Sequence, residues 1–176
     1  KDGYDVVSTI NINIQDIAHH ALLTQLKKYK AQHGCVIVME VNTGEIKAIS
    51  NLELNPKNNT YAERYNFAIG EAHEPGSIFK LMTVVAAMET RNIDTTYVVD
   101  IKDGKQQYYD KTFQDSQHHF TGRISLNKAF SVSSNVGMTE LVHSLFAKNP
   151  SDFTTQLLST NLNQQLGLPI LGEGEP

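Results

Sequence analysis

EPGSIFKLMTVVAAME, residues 74–89, sets a serine and a lysine at the mouth of a stretch as apolar as a protein core. Pro75-Gly76 predicts a turn, and the helix is expected to begin at or next to Ser77, which places Ser77 and Lys80 one turn apart on one face. Beyond Lys80, the residues Leu81, Met82, Val84, Val85, Ala86, Ala87 and Met88 are apolar on every side, the pattern of a helix running through a core. Lys80 therefore lies near the positive end of the helix dipole and away from water. Both conditions disfavour a cation.

The magnitudes decide which condition matters. A lysine amine must fall from about 10.4 to about 7, roughly 4 to 5 kcal/mol, before much of it is neutral at neutral pH. Desolvation of a fully buried amine supplies a change of that size, whereas a dipole effect of about 0.3 to 1 kcal/mol does not. A neutral amine one turn from a hydroxyl can take its proton, and the helix N-terminus favours the alkoxide that forms. The alternative is structural: Ser77 only caps the helix and Lys80 reaches out to solvent. Spacing alone leaves both open, since Ser-x-x-Lys recurs at Ser125-Leu126-Asn127-Lys128.

Acyl transfer by a serine also needs a proton carrier near the leaving group and a polar group to hold an amide. Ser133-Ser134-Asn135, in SVSSNVGM between two expected helices, offers a hydroxyl and a carboxamide from one short turn. The structural alternative is that Ser133 or Ser134 caps the helix that follows. Ser-x-Asn also occurs at Ser125-Leu126-Asn127 and Ser159-Thr160-Asn161, so neither motif is specific alone.

At 176 residues the chain is read as one domain with room for a substantial core, and its 40% hydrophobic and 19% charged content is ordinary for a globular protein. A formal net charge of -4 and the lack of a basic cluster argue against a nucleic-acid partner. No run approaches eighteen apolar residues, so no segment is expected to cross a membrane, and KDGYDVVSTI lacks a signal-peptide pattern. Charged and glycine-rich ends read as cuts from something longer. Cys35, the single cysteine, is expected to pack as a small apolar residue.

Residues 14–30 place Ile14, Ile17, Ala18, Ala21, Leu22 and Leu26 on one helical face, with Lys27, Lys28 and Lys30 suiting the dipole at its end. CVIVMEV and EIKAIS, joined by Asn42-Thr43-Gly44, read as a hairpin. Residues 51–75 read as a surface loop, and 100–122 as irregular with a short hairpin at most. Helices are expected in 124–130, in 136–147 and in SDFTTQLLSTNLNQQL, the last with Ser151 as cap and Gly167-Leu168-Pro169 as stop. The outline is a mixed α/β domain.

In context and order, these motifs resemble a known family. EPGSIFK opening an apolar helix, and SSNVG following ISLNKAF, are similar to the first and second active-site motifs of the class B penicillin-binding proteins, the peptidoglycan D,D-transpeptidases of the bacterial envelope. The separation, 133 − 77 = 56 residues, suits that order. VVSTININIQDIAHHAL, VIVMEVNTGEIKAIS and RYNFAIGEAHEPGSIFK also resemble the run-up to that family's nucleophile, so the resemblance covers essentially the whole chain. It implies the penicillin-binding/serine β-lactamase-like fold, α/β of the α+β type, with residues 1–176 as the first part of the transpeptidase domain.

The resemblance further implies that Ser77 is acylated by the penultimate D-alanine of a stem peptide, with Lys80 as general base. Ser133 would relay the proton to the leaving amine, Asn135 would bind the substrate's amide, and the Ser77 N–H would be one of two oxyanion donors. β-Lactams are expected to trap Ser77. No cofactor or metal is implied; a membrane anchor, a pedestal domain and divisome or glycosyltransferase partners are, on the periplasmic face of the inner membrane. The asparagine of SSN resembles the septal more than the elongation branch.

One departure stands out. The family's third motif, Lys-Thr-Gly or Lys-Ser-Gly, is missing, since the Thr-Gly pairs at Thr43-Gly44 and Thr121-Gly122 lack a preceding lysine. The expectation is that the remaining strands are absent, that the 35–50 hairpin keeps an open edge and an apolar face, and that this stretch alone is a poor or inactive transpeptidase.

Other readings carry less. His19-His20 and His118-His119 are adjacent pairs that would point apart, without a His-Glu-x-x-His or Cys/His pattern, and no metal site is expected from them. A class A β-lactamase would need a deacylating glutamate after SSN, and Glu140 reads as a solvated helical residue. A β-lactam-sensing domain and a non-catalytic scaffold of the same fold are the remaining alternatives.

Overall fold

A computed structural model of the chain describes residues 3–117, 120–168 and 170–175. Contacts divide it into two compact units, residues 1–73 with 165–176, and residues 74–164.

In the first unit, Asn11 caps helix α1 (Ile12–Tyr29), its side chain accepting from the amides of Asn13 and Ile14. Lys30 ends the helix in the left-handed conformation, with Lys27 and Lys28 in the last turn. The helix lies on an antiparallel sheet of order β1-β2-β3, formed by β1 (His33–Met39), β2 (Ile46–Asn55) and β3 (Thr60–Ala62). Ala18 and Leu26 of the helix are buried, as are Ala48, Ser50 and Leu52 of β2. The Tyr61 hydroxyl donates to the carbonyls of Leu26 and Ala31, closing the end of α1 against the sheet. A single turn, α2 (Phe67–Gly70), follows.

Several expectations change here. The packed stripe of α1 is displaced from the predicted one: Ile17 is 71% exposed, because the face turned to the sheet runs through Gln15, Ala18, His19 and Leu26. Cys35 is exposed rather than packed, since alternation along β1 puts Cys35, Ile37 and Met39 outward. The expected loop at 51–75 is largely ordered, because β2 continues to Asn55 and pairs with β3 through Glu53↔Ala62 to Asn55↔Thr60.

In the second unit, a 3-10 turn over Gly76–Ile78 leads into α3 (Phe79–Arg91). Strand β4 (Val98–Asp100) pairs with β7 (Arg123–Ser125), and β5 (Lys105–Tyr108) forms a two-residue hairpin with β6 (Lys111–Gln114). Helices α4 (Leu126–Ser131), α5 (Asn135–Phe146) and α6 (Pro150–Leu158) complete it. Val84, Ala87, Val99, Ile101, Leu126 and Leu141 belong to the core these elements share. Arg91 ties three helices together: it donates to the Leu145 carbonyl, pairs with Asp152 at 2.7 Å and lies over the Phe146 ring at 4.6 Å.

Helix α3 is not buried all round. Thr83, Val84, Ala86 and Ala87 are buried while Ile78, Phe79 and Leu81 are exposed, because one face alone meets the shared core. The helix at 150–158 has Asn149 rather than Ser151 at its N-cap position, without a side-chain capping bond, and Pro150 at its first position, where no amide proton is needed. Predicted to run through Leu166 to a stop at Gly167-Leu168-Pro169, that helix ends instead at Leu158 and gives way to turns through Asn163; Pro169 and His118-His119 lie outside the described residues. Among the described residues no helix is long and apolar enough to cross a membrane.

Gly137 sets the approach of α5 to α4. A Cβ there would sit 2.9 Å from Ala129 Cβ, 3.1 Å from Ser134 Oγ and 3.3 Å from Ile101 Cγ2. Gly137→Ala is predicted to cost about 1–3 kcal/mol as these neighbours are forced apart. In urea denaturation this should appear as a lower midpoint at unchanged slope; an unchanged midpoint would show that the crossing relaxes freely.

Candidate active site

Ser77 stands in the 3-10 turn before α3, presented by Gly76, whose φ of 59° lies in the left-handed region that glycine enters without cost. Lys80 is one turn on. Its Nζ hydrogen-bonds Ser77 Oγ at 3.1 Å, Ser133 Oγ at 2.9 Å and the Ser133 carbonyl at 2.6 Å. The amine is half-buried, and desolvation pulls its pKa below the ordinary lysine range, opposed by the negative charge of Asp115. The direction and its cause are those expected from the apolar helix, although the amine is half-buried rather than removed from water.

The two Ser-x-x-Lys tetrapeptides have different fates. Ser125 caps α4, its hydroxyl accepting from the Lys128 amide, and the Lys128 ammonium lies 4.2 Å from the Phe120 ring centroid. Ser77 makes no capping bond, so its hydroxyl is left to the Lys80 amine.

Ser133 reaches Lys80 through an unusual backbone. α4 ends with the Ser134 amide donating to Ala129 O and the Ser133 amide donating to Phe130 O, the crossed pair of a Schellman motif. Its left-handed position, commonly glycine, is Ser133 with φ 55°. A non-glycine residue there costs about 1–2 kcal/mol. In return the turn directs both the hydroxyl and the carbonyl of one residue to one amine.

Ser134 is the cap of α5, as the structural reading of SSN anticipated for one of the two serines. Its buried hydroxyl accepts from the Gly137 amide and donates to Asp115 Oδ2 at 2.8 Å, while Asp115 Oδ1 accepts from the Val136 amide at 2.9 Å. A buried carboxylate thus sits on the positive end of α5. Asn135 opens that helix and donates from Nδ2 to the Gln114 carbonyl at 2.8 Å, turning Oδ1 into its remaining acceptor. Ser77, Lys80 and Ser133 are therefore joined by direct hydrogen bonds. Asn135 follows Ser133 by two residues and is anchored instead to β6.

Asp115 went unread because no local pattern marks it: it lies in FQDSQ, 134 − 115 = 19 residues from the serine it holds. Glu140 is not simply solvated, for it is half-buried and accepts the Tyr108 hydroxyl bond; burial first, and then that bond, raise the phenol's pKa. A cavity of about 390 Å³ between the β5–β6 hairpin and helices α5 and α6 is lined by none of Ser77, Lys80, Ser133 or Asn135. The His19 and His20 rings stand perpendicular, at 86°, with His19 Nδ1 turned to Ser50 Oγ.

Residues 34–174 match the model of the penicillin binding protein transpeptidase domain. The chain belongs to that family. It is 29% identical over 157 residues to a probable peptidoglycan D,D-transpeptidase PenA of Neisseria flavescens, covering 87% of this chain and 38% of that protein. It is 25% identical over 177 residues to the peptidoglycan D,D-transpeptidase FtsI of Buchnera aphidicola, covering 98% and 30% respectively. Among solved structures, a peptidoglycan glycosyltransferase from Burkholderia ambifaria superposes with a TM-score of 0.79 at 25% identity, over 96% of this chain and 49% of that one. The transpeptidase domain of penicillin-binding protein 3 from Burkholderia pseudomallei gives 0.80 at 22% identity, over 99% and 48%, a likeness of fold. The chain thus spans less than half the length of each of these relatives, and its mixed α/β architecture is that of the penicillin-binding family.

The strain at position 133 gives a test independent of activity. Ser133→Gly and Ser133→Ala both remove the hydroxyl, but only glycine relieves the left-handed backbone. Ser133→Gly is expected to be about 1 kcal/mol more stable than Ser133→Ala in chemical denaturation. Equal stabilities would mean that the turn stores no strain.

Proposed function

We propose that this chain carries the acylation half of a peptidoglycan D,D-transpeptidase site. The observation that supports it is the Lys80 amine bonded at once to the Ser77 and Ser133 hydroxyls. Lys80, in its neutral form, takes the Ser77 proton as Oγ attacks the carbonyl carbon of the penultimate D-alanine of a stem peptide. The Ser77 N–H, at the mouth of α3, serves as one oxyanion donor. As the tetrahedral intermediate collapses, the carbon–nitrogen bond to the terminal D-alanine breaks, and the proton passes from Lys80 through Ser133 Oγ to the leaving amine. Asn135 Oδ1 accepts from the substrate's amide.

The ester on Ser77 is then attacked by an amine of a second stem peptide. That amine's proton returns to Ser77 Oγ by way of Lys80, so the cycle closes without cofactor or metal. A β-lactam enters the same first step but opens its ring instead of releasing a fragment, leaving Ser77 acylated. The asparagine of Ser133-Ser134-Asn135, which resembles the septal branch of the family, favours a septal role, on the periplasmic face of the inner membrane with divisome or glycosyltransferase partners.

Labelling with a fluorescent penicillin tests the nucleophile: in the full-length protein, Ser77→Ala should abolish the covalent adduct and Lys80→Ala should slow acylation by about 10²–10⁴-fold. Undiminished labelling of Ser77→Ala would place the nucleophile elsewhere, and no labelling of the wild type would leave a scaffold role.

Asp115 supplies a second test, with its sign fixed by the charges. The reactive amine is the neutral form, so acylation rises with pH through the Lys80 pKa of the free enzyme. Asp115 holds that pKa up, so Asp115→Asn should move the acidic limb of the rate profile to lower pH. An unmoved or upward-shifted limb would show that the carboxylate does not act on the amine.

A further inference from the structure

We propose that His33, Glu71 and His73 form a binding site for a divalent transition-metal ion of the zinc class. The residues meet in the first unit, and nothing in the acyl-transfer reading calls on them. Glu71 follows the single turn α2 in an extended conformation, φ -121° and ψ 131°. In extended chain, residues two apart project to one side, which brings Glu71 and His73 together. His33, at the start of β1, completes the group.

The geometry is that of converging donors. Glu71 Oε2 lies 3.0 Å from His33 Nε2 and 3.0 Å from His73 Nε2. All three donor atoms fall within 4.8 Å of one another. Around a tetrahedral zinc with bonds of about 2.0–2.1 Å, neighbouring donors stand roughly 3.3 Å apart, so small side-chain movements close the triangle on an ion. Two imidazoles and a carboxylate are a donor set that zinc takes with three protein ligands, leaving the fourth position to water.

The ring that must hold still is held. His33 stacks on Phe67 at 4.2 Å with an interplanar angle of 10°, and Phe67 in turn meets Tyr65 edge-on at 5.1 Å. His73 is exposed, which leaves an entry path for the ion. Without metal the two imidazole nitrogens already crowd the one carboxylate oxygen, and an ion among the three donors takes the place of that pairing. The adjacent histidine pairs drew attention in the sequence, whereas this group joins residues 71 − 33 = 38 positions apart and carries no motif.

The test uses the untagged full-length protein, titrated with Zn²⁺ against a chromogenic chelator and with Co²⁺ followed by its d–d absorption. One equivalent should bind with an absorption of tetrahedral strength. Glu71→Gln and His73→Ala change accessible side chains and should each weaken binding about tenfold or more, with loss of the cobalt signature, while melting as the wild type does without metal. His20→Ala should change nothing. Absence of stoichiometric binding in the wild type, or equal affinity in Glu71→Gln and His73→Ala, would overturn the proposal.

Discussion

The Ser133 carbonyl can only accept a hydrogen bond, and at 2.6 Å it claims one proton of the Lys80 amine whatever the charge on that amine. That bond fixes the rotation of the amine and turns its other positions toward the hydroxyls of Ser77 and Ser133. A charged amine would donate to all three oxygens. A neutral one keeps one proton on the carbonyl and meets a hydroxyl proton with its lone pair. The difference between structural contact and general base is thus a single proton, and burial works to remove it.

Support for that arrangement comes in layers. The carbonyl faces the amine because Ser133 takes a left-handed conformation between two helices. Those helices are locked on either side of it: the Schellman bonds close α4, and the buried Asp115 carboxylate, with the Ser134 hydroxyl, closes the start of α5. Gly137 then lets the helices approach to Ala129. Asp115 acts in two directions, since the charge that anchors α5 also favours the protonated form of Lys80. The structure sets desolvation against this pull, with the net shift downward.

What could be read in the sequence was what is local. Ser77 and Lys80 are one helical turn apart, so a single spacing rule joins them. The amphipathic α1 and the β1–β2 hairpin follow from period and turn residues in the same way, which also explains the failure at 51–62, where Asn51, Glu53 and Asn55 mask the far half of β2. Periodicity marked α3 as apolar on every side but gave no sign that one face alone would meet the core. Ser133 was legible as a hydroxyl; its backbone conformation was not, because no glycine or asparagine signals the left-handed turn. Asp115 and the His33–Glu71–His73 group depend on contacts across 19 and 38 residues that no spacing rule reaches.

The charge on Lys80 can be observed directly. In the full-length protein with lysine labelled at ¹³Cε, the resonance that disappears in Lys80→Arg reports the titration of this amine alone. A midpoint below that of free lysine, about 10.4, is the predicted result. A midpoint at or above it would mean that the carbonyl and Asp115 hold the amine as a cation, and that the base for Ser77 lies elsewhere.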